Sequence, residues 1–273
     1  MNKPKTASGY LHGFTKTEQD RLLEQAKILE ASTFASVDLK KNRHCLEVGC
    51  GVGAQTQILL KRFPKLKITA IDASDAQLSV AKARLAKEVK KGRVEFHKAN
   101  ALELPFKNKT FDSAFFCWIL EHVSDPVGIL KEVRRTLKPG AQVVLSEVFN
   151  DSIFLTPHSP ALTKYWAAFN AQQIALDGDP YIGVKLGNYL LEAGYKKIDV
   201  QMNQFHYDNR EPKKRLFFLE YFKELILSAE PELLKSGRVD EKTVSDMKKE
   251  IEVFKSHKEA VFFGSWVRAT AKA

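Results

Sequence analysis

The sequence predicts a doubly wound α/β fold around a mostly parallel sheet, and three observations carry that expectation. Short apolar runs alternate with helical patterns over residues 45–148, the order that parallel pairing through crossover helices requires. The first run, Cys45-Leu46-Glu47-Val48, leads into Gly49-Cys50-Gly51-Val52-Gly53 and then into the helical pattern of Gln55-Thr56-Gln57-Ile58-Leu59-Leu60. Glycines serve where a chain turns sharply or a ligand touches bare backbone, and a helix start presents N–H groups without partners in the helix. About 20 residues after the loop, Ile68-Thr69-Ala70-Ile71 ends in Asp72, the place where a carboxylate takes two ribose hydroxyls.

The elements follow in order. Residues 1–40 read as a tail and an accessory helix. Tyr10-Leu11-His12-Gly13-Phe14 is unusually aromatic for a tail and is a candidate lid, though a partly ordered tail fits it as well. Thr15 or Thr17 can cap a helix with Leu22, Leu23, Ala26 and Leu29 on one stripe. A core over residues 41–149 comes next. The helix after the glycine loop reaches about Phe63 and breaks at Pro64. Ser74 or Asp75 caps a long helix that Gly92 stops. Strands are expected at Val94 to His97, Phe111 to Cys117 and Gln142 to Val148, with a helix from about Pro126 to Leu137 closed by Lys138-Pro139-Gly140.

Beyond Glu147 the rhythm breaks. Residues 150–194 read as a cap insert with a helix near Ala161 to Ile174 and another near Ile182 to Ala193. Residues 195–273 supply two last strands, Lys197 to Met202 and about Ala260 to Ala269, separated by two charged amphipathic helices over 212–258. An insert in place of a crossover helix points to an antiparallel strand at the edge of the sheet.

Composition narrows the function classes. With 273 residues, 44% of them hydrophobic, the chain can bury one elaborated α/β core. No apolar run approaches the ~20 residues that span a bilayer, and Met1 to Thr6 leads into no signal-like segment, so a cytoplasmic protein is expected. Cys45, Cys50 and Cys117 have no metal spacing and fit small buried residues in a reducing compartment; no metal site is expected. The net charge of +10, from 43 basic and 33 acidic residues, invites nucleic acid. The lysines are nevertheless scattered among helix ends, where solvation and the helix dipole account for them, so nucleic acid is possible but not favoured.

Gly49, Gly51 and Ala54 also fit a dinucleotide fingerprint. Glu47 argues for a different ligand, since a carboxylate beside the loop would repel a pyrophosphate yet accept hydrogen bonds from an ammonium group. With Asp72, this describes a ligand with an amino-acid end and a ribose.

Taken together, Leu46 to Gly53, Ile71-Asp72-Ala73-Ser74, Leu104-Pro105-Phe106 with Thr110-Phe111-Asp112, Leu120-Glu121-His122-Val123 and Leu130 to Gly140 resemble the class I S-adenosylmethionine-dependent methyltransferases over about residues 40–150. The likeness is nearest to the small-molecule branch that includes the ubiquinone and menaquinone methyltransferases. It implies a Rossmann-like, mostly parallel seven-stranded sheet with helical cap insertions, and S-adenosylmethionine as cofactor. By that resemblance Gly49, Cys50, Gly51 and Gly53 contact the methionine part, Glu47 serves its amino group, and Asp72 holds the ribose. Ala73 and Gln77 flank the adenosine, Asn100 and Ala101 meet the adenine edge, and Cys117 and Trp118 lie near the sulfonium. The family often has Asp where Asn100 stands, and Asn100 can still accept from the exocyclic amine without charge.

Several of these residues have a plainer role open to them. Gly53 could serve helix packing alone, and Asp72 could cap the next turn. His122 could be a general base, although orienting its loop is the favoured role. Tyr10, Phe14, Glu147 and His158 are further candidates for acceptor contacts, and no catalytic residue is assigned. Trp166, Phe169, Phe217, Phe218, Tyr221 and Phe222 would roof the acceptor, which favours a flat or apolar small molecule. The rival functions are an RNA or other nucleic-acid methyltransferase, a non-catalytic S-adenosylmethionine-binding protein and a nucleotide-dependent oxidoreductase.

Overall fold

The computed structural model describes residues 11–13 and 15–273. The elements, in chain order, are α1 (Lys16–Thr33), β1 (His44–Val48), α2 (Ala54–Arg62), β2 (Lys67–Asp72), α3 (Asp75–Arg84), α4 (Ala86–Lys90), β3 (Val94–Lys98), β4 (Phe111–Cys117) and α5 (Pro126–Thr136). They continue as β5 (Leu137–Thr156), α6 (Pro160–Ala175), α7 (Leu186–Glu192), β6 (Lys196–Tyr207), α8 (Pro212–Leu227), α9 (Glu230–Lys235), α10 (Glu241–Ser256) and β7 (Val261–Lys272). The strands form one seven-stranded sheet in the order β3-β2-β1-β4-β5-β7-β6. The pairs among β1 to β5 are parallel, and β7 runs antiparallel to both β5 and β6. The doubly wound fold is therefore present, but its reversed strand is the second from the edge. With no crossover helix before it, β7 returns directly into the gap beside β5 and leaves β6 outermost.

Apolar patterning explains the layers. One face of the sheet buries Leu46, Val48, Phe116, Leu130, Val133 and Leu145 with α5 and α7. The other buries Ile58, Leu59, Ile68, Ala81 and Phe115 under α2 and α3. Helix starts use the residues that free N–H groups demand: Thr15 accepts from Glu18, Ser74 from Gln77 and Asp125 from Gly128, with Pro126 in the first turn of α5. A third cluster joins α6, α8, α9 and α10 around Tyr165, Phe218, Phe222, Met247 and Phe254. In it Glu250 caps α6 by accepting from the N–H groups of Ala161 and Leu162.

Four expectations are revised. The long helix after Ser74 is interrupted at Leu85, whose backbone (φ −102°, ψ 22°) leaves the helical range between α3 and α4. The last parallel strand continues well past Val148, because β7 pairs with it as far as Thr156. Lys138-Pro139-Gly140 lies at a register shift inside β5, where the N–H of Gly140 donates to the carbonyl of Ala273. The segment 212–258 holds three helices rather than two, since α9 starts at Glu230 after Ala229, with Pro231 in its first turn.

The accessory helix α1 lies against the core through a buried cation. Arg268, 1% exposed, donates Nε to Ser146 Oγ at 3.0 Å and its guanidinium to Ser36 Oγ at 3.2 Å and to the carbonyl of Thr33. The end of α1 is thereby fixed to the middle of the sheet. Leu29, farther back, packs into the cap cluster, so α1 bridges the two halves of the molecule.

Candidate active site

The site forms at the carboxyl ends of β1, β2 and β4, where an open parallel sheet leaves a crevice. A cavity of about 1280 Å³ runs from Asp72 and Asn100 past the glycine loop and Trp118 to Trp166 and Phe218. It exceeds the ~300–1,000 Å³ usual for one small molecule, which gives room for two ligands.

The loop geometry is set by its glycines. Gly49, Gly51 and Gly53 have φ of +70°, +51° and +73°, which side chains rarely tolerate. A Cβ at Gly49 would meet Ile119 Cγ1 at 2.5 Å, and one at Gly53 would meet Ala81 Cβ at 3.1 Å, whereas one at Gly51 would meet nothing within 4 Å. Gly53 does not line the cavity; its close neighbours are Ala81 and Leu85 of the α3 segment. The N–H groups of Gly49 and Cys50 both donate to the carbonyl of Ile71, that of Gly51 to Asp72 Oδ2 and that of Gly53 to the carbonyl of Cys50. All four donors that a phosphate would need are thus bonded within the protein.

The acidic residues divide by environment. Asp72 lines the cavity and accepts from Gly51 and Ser74, both at 2.8 Å. Burial raises its pKa, and those N–H groups oppose the rise. Each carboxylate oxygen keeps a second acceptor direction for a hydroxyl. Glu47 lies beneath the loop, 2% exposed and outside the cavity wall, with no hydrogen bond to Oε2 among the described residues. Burial pushes its pKa up to about 8, with a contribution from the charge of Asp72.

Ala73, Gln77, Asn100 and Ala101 line the same end of the cavity. Asn100 Oδ1 already accepts from the N–H of Leu102 at 3.0 Å. Cys117 and Trp118 stand at the waist. Burial, together with the Glu147 charge, raises the Cys117 thiol well above its ordinary value, which leaves it a wall rather than a nucleophile. Trp118 has φ +53°, a left-handed conformation that costs about 1–3 kcal/mol for a bulky side chain. Its N–H donates to the carbonyl of Ser146, and the next two N–H groups donate to Glu147 Oε1 at 3.2 and 2.9 Å.

Glu147 therefore does not reach the cavity, as the expectation had it. It is fully buried below the Trp118 turn, its pKa pushed up to about 8 by burial and by the Glu121 charge. His158 is exposed and outside the cavity, because Pro157 and Ser159 carry it into the turn before α6. Tyr10 and Phe14 lie outside the described residues. His122 does line the cavity, with Nε2 3.7 Å from Glu121 Oε1. Of the expected roof, Trp166, Phe169, Phe218, Tyr221 and Phe222 line the cavity, while Phe217 is 55% exposed on the outer side of α8. Trp166 and Phe169 stack with ring centroids 5.1 Å apart, and Phe222 tilts against Trp166 at 5.4 Å.

Sequence reasoning missed Arg21, Gln25 and Glu121, which add charge and polarity to the wall, and Phe205, Phe262 and Trp266, which extend the aromatic surface. Nothing in the spacing of Arg21 separates it from a solvated helix residue. In the structure it faces inward and is held by both oxygens of Glu18 at 2.6 Å.

Residues 46–145 match the family model described as a methyltransferase domain. Among curated proteins, the chain is 31% identical over 177 residues to an O-methyltransferase of Penicillium expansum, covering 65% of this chain and 59% of that protein. It is 38% identical over 125 residues to the demethylmenaquinone methyltransferase of Lactococcus lactis, covering 45% of this chain and 46% of that protein. The chain thus spans less than two thirds of the length of these relatives. A solved phosphoethanolamine N-methyltransferase 2 of Haemonchus contortus, complexed with S-adenosylhomocysteine, superposes with a TM-score of 0.58 at 18% identity. That match covers 95% of this chain and 57% of the other and concerns the fold. Among the described residues, no helix is long and apolar enough to cross a membrane.

Proposed function

We propose that this protein is an S-adenosylmethionine-dependent methyltransferase that transfers a methyl group to a small-molecule acceptor by in-line displacement. The observation that carries the reading is one continuous cavity with a ribose-type carboxylate at one end and an aromatic roof at the other. The loop favours this cofactor over a dinucleotide, since its N–H groups are bonded internally and a buried carboxylate with an unoccupied oxygen lies beneath it. When bound, S-adenosylmethionine supplies an electrophilic methyl group on a positively charged sulfur.

The residues of the chain have distinct tasks in this proposal. Gly49, Cys50 and Gly51 shape the methionine pocket, with Gly53 fixing the turn behind it. Glu47, protonated while the site is empty, gives up its proton beside a bound ammonium group and then balances that charge from below. Asp72 accepts from the ribose, Ala73 and Gln77 pack on the adenosine, and Asn100 and Ala101 border the adenine. Trp118 and Cys117 form the waist at which donor and acceptor are aligned. The cap, from the 150–194 and 212–258 segments, excludes water and holds the flat body of the acceptor. Alignment of this kind is worth up to about 7–11 kcal/mol, enough to dominate the rate. The three free cysteines suit a cytoplasmic enzyme.

The test is calorimetric titration of the wild type and Asp72→Ala with S-adenosylmethionine, S-adenosylhomocysteine and NADH. Binding of both adenosyl ligands, lost in the variant and absent for NADH, is the expected result. NADH binding without adenosyl binding would overturn the proposal.

A further inference from the structure

Positive charge that is dispersed in the sequence is gathered by the fold at one edge of the sheet. Strands β1 to β5 run parallel, so their starts share the edge opposite the cavity, and antiparallel β7 reaches that edge at its end. In the sheet order β3-β2-β1-β4-β5-β7-β6, each strand brings a cation there: Arg93, Lys67, Arg43, Lys109, Lys138, Lys272 and Lys196. Hydrogen bonds and register hold them in a row. The N–H of Lys67 donates to the carbonyl of Arg43 and that of Ile68 to the carbonyl of Arg93, while Lys272 stands opposite Gln142 of β5 and Lys196 of β6. At about 4.8 Å per strand, the row is roughly 29 Å long.

Pairing separates these cations from those of the cap. In the cap, Lys214, Lys223, Lys242, Lys248 and Lys255 each meet a carboxylate. At the edge Lys67 pairs with Glu95 and Arg93 with Glu88, but Arg43, Lys109, Lys138, Lys196 and Lys272 make no ion pair among the described residues. All of these five except the half-buried Lys272 are exposed, as are Lys41, Lys65, Lys107 and Lys197 beside them. Asp112 is committed to the N–H groups of Arg43 and His44. The strand spacing is shorter than the Debye length of ~10 Å, so the charges along the row reinforce one another and draw in anions.

We infer that this edge binds the phosphate backbone of a single-stranded nucleic acid without reading its sequence. Twist decides against a flat partner: adjacent strands rotate by about 20–25°, so the row follows a curve that a flexible strand can track and a planar bilayer meets only in part. Lysine supplies point charges suited to phosphate. Among the described residues the exposed phenylalanines, Phe154 and Phe217, lie near the far end of β5 and on α8, so neither stacks on bases at this edge. Contacts to phosphate alone position a strand but carry no sequence information. The edge shares no residue with the cavity wall, so the inference stands apart from the methyltransferase reading.

The experiment is fluorescence anisotropy with a labelled oligouridylate of about 12 nucleotides, alongside cosedimentation with vesicles of phosphatidylcholine and phosphatidylserine. The wild type should bind the oligonucleotide with a Kd of about 10⁻⁶–10⁻⁵ M at about 50 mM salt. Its log affinity should fall with log salt at a slope of roughly −3 to −5, about 0.7 for each phosphate contacted. Combining Lys109→Glu, Lys138→Glu and Lys196→Glu should weaken binding at least about tenfold and flatten the slope by roughly 2. Combining Lys213→Glu, Lys235→Glu and Lys258→Glu changes the net charge equally on the cap and should weaken binding less than about threefold. Thermal melts identify a variant that fails to fold, and the corresponding Gln triple at the edge then decides in its place. A wild-type Kd weaker than about 10⁻⁴ M, an affinity indifferent to salt, or equal losses in the two triple variants would overturn the inference. Vesicle binding without oligonucleotide binding would also overturn it and assign the edge to a lipid surface.

Discussion

The two ends of the cavity are built on different principles. The end at Asp72 is made of backbone: three positive-φ glycines, a carboxylate receiving N–H groups, and strands whose register is set by the sheet. The end at Trp166 is made of side chains from α6, α8, β6 and β7, which lie far apart in sequence. Backbone geometry tolerates few substitutions, so the first end suits an invariant ligand. Side chains on packed helices can change size at moderate cost, so the second suits a ligand that differs between relatives.

The most severe break of this contrast is Asp72→Ala. Losing the ribose acceptor and both loop contacts should weaken S-adenosylmethionine binding at least about 100-fold, since hydrogen bonds to charged groups are worth roughly 1.5–3 kcal/mol each. Calorimetry checks it.

Glycines separate geometry from contact within the first end. Gly51→Ala meets open cavity space, so it should cost only about 1 kcal/mol of stability yet weaken cofactor binding more than tenfold. Gly53→Ala meets Ala81 and Leu85, so it should cost about 1–3 kcal/mol with binding nearly intact. Urea melts and titrations on both variants decide; matching behaviour would remove the distinction.

At the second end, Trp166→Leu should leave cofactor affinity within about twofold and raise the acceptor KM about 10-fold or more, as lost aromatic contact is worth roughly 0.5–1.5 kcal/mol beyond area. Equal effects on both ligands would show that the two ends are not separable.

The smallest expected effect concerns pH. Glu47 and Glu147 have folded pKa values near 8 against an ordinary 4.5, so the folded protein holds protons that the unfolded chain releases. Stability should fall as pH rises from 4.5 to 8 and be unaffected by these groups below that window. Glu147→Gln keeps an acceptor for the Ile119 and Leu120 N–H groups and should raise stability at pH 8 by on the order of 1–3 kcal/mol. Thermal melts across the window would show no flattening if the turn itself depends on the charge.

Legibility followed the same division. The glycine loop, Asp72 and the Asn100 segment could be read because backbone requirements restrict residue type locally. Glu147 was misplaced because its partners, the N–H groups of Ile119 and Leu120, are 28 and 27 residues away. His158 was attractive only as a histidine in an insert, and the turn before α6 carries it outward. The reversed strand was anticipated, but its place inside β6 depended on pairing between β5 and β7 over 11 residue pairs.

By itself the sequence determined the alternation of strands and helices, the loop and the polar residues at the Asp72 end of the cavity, because hydrophobic period and glycine conformation act between near neighbours. Only the tertiary structure decided which face of α1 turns Arg21 inward, that His12 meets Ser228 at the end of α8, and which aromatic residues meet across the roof. Those outcomes depend on contacts between segments up to 216 residues apart, and local patterning carries no term for them.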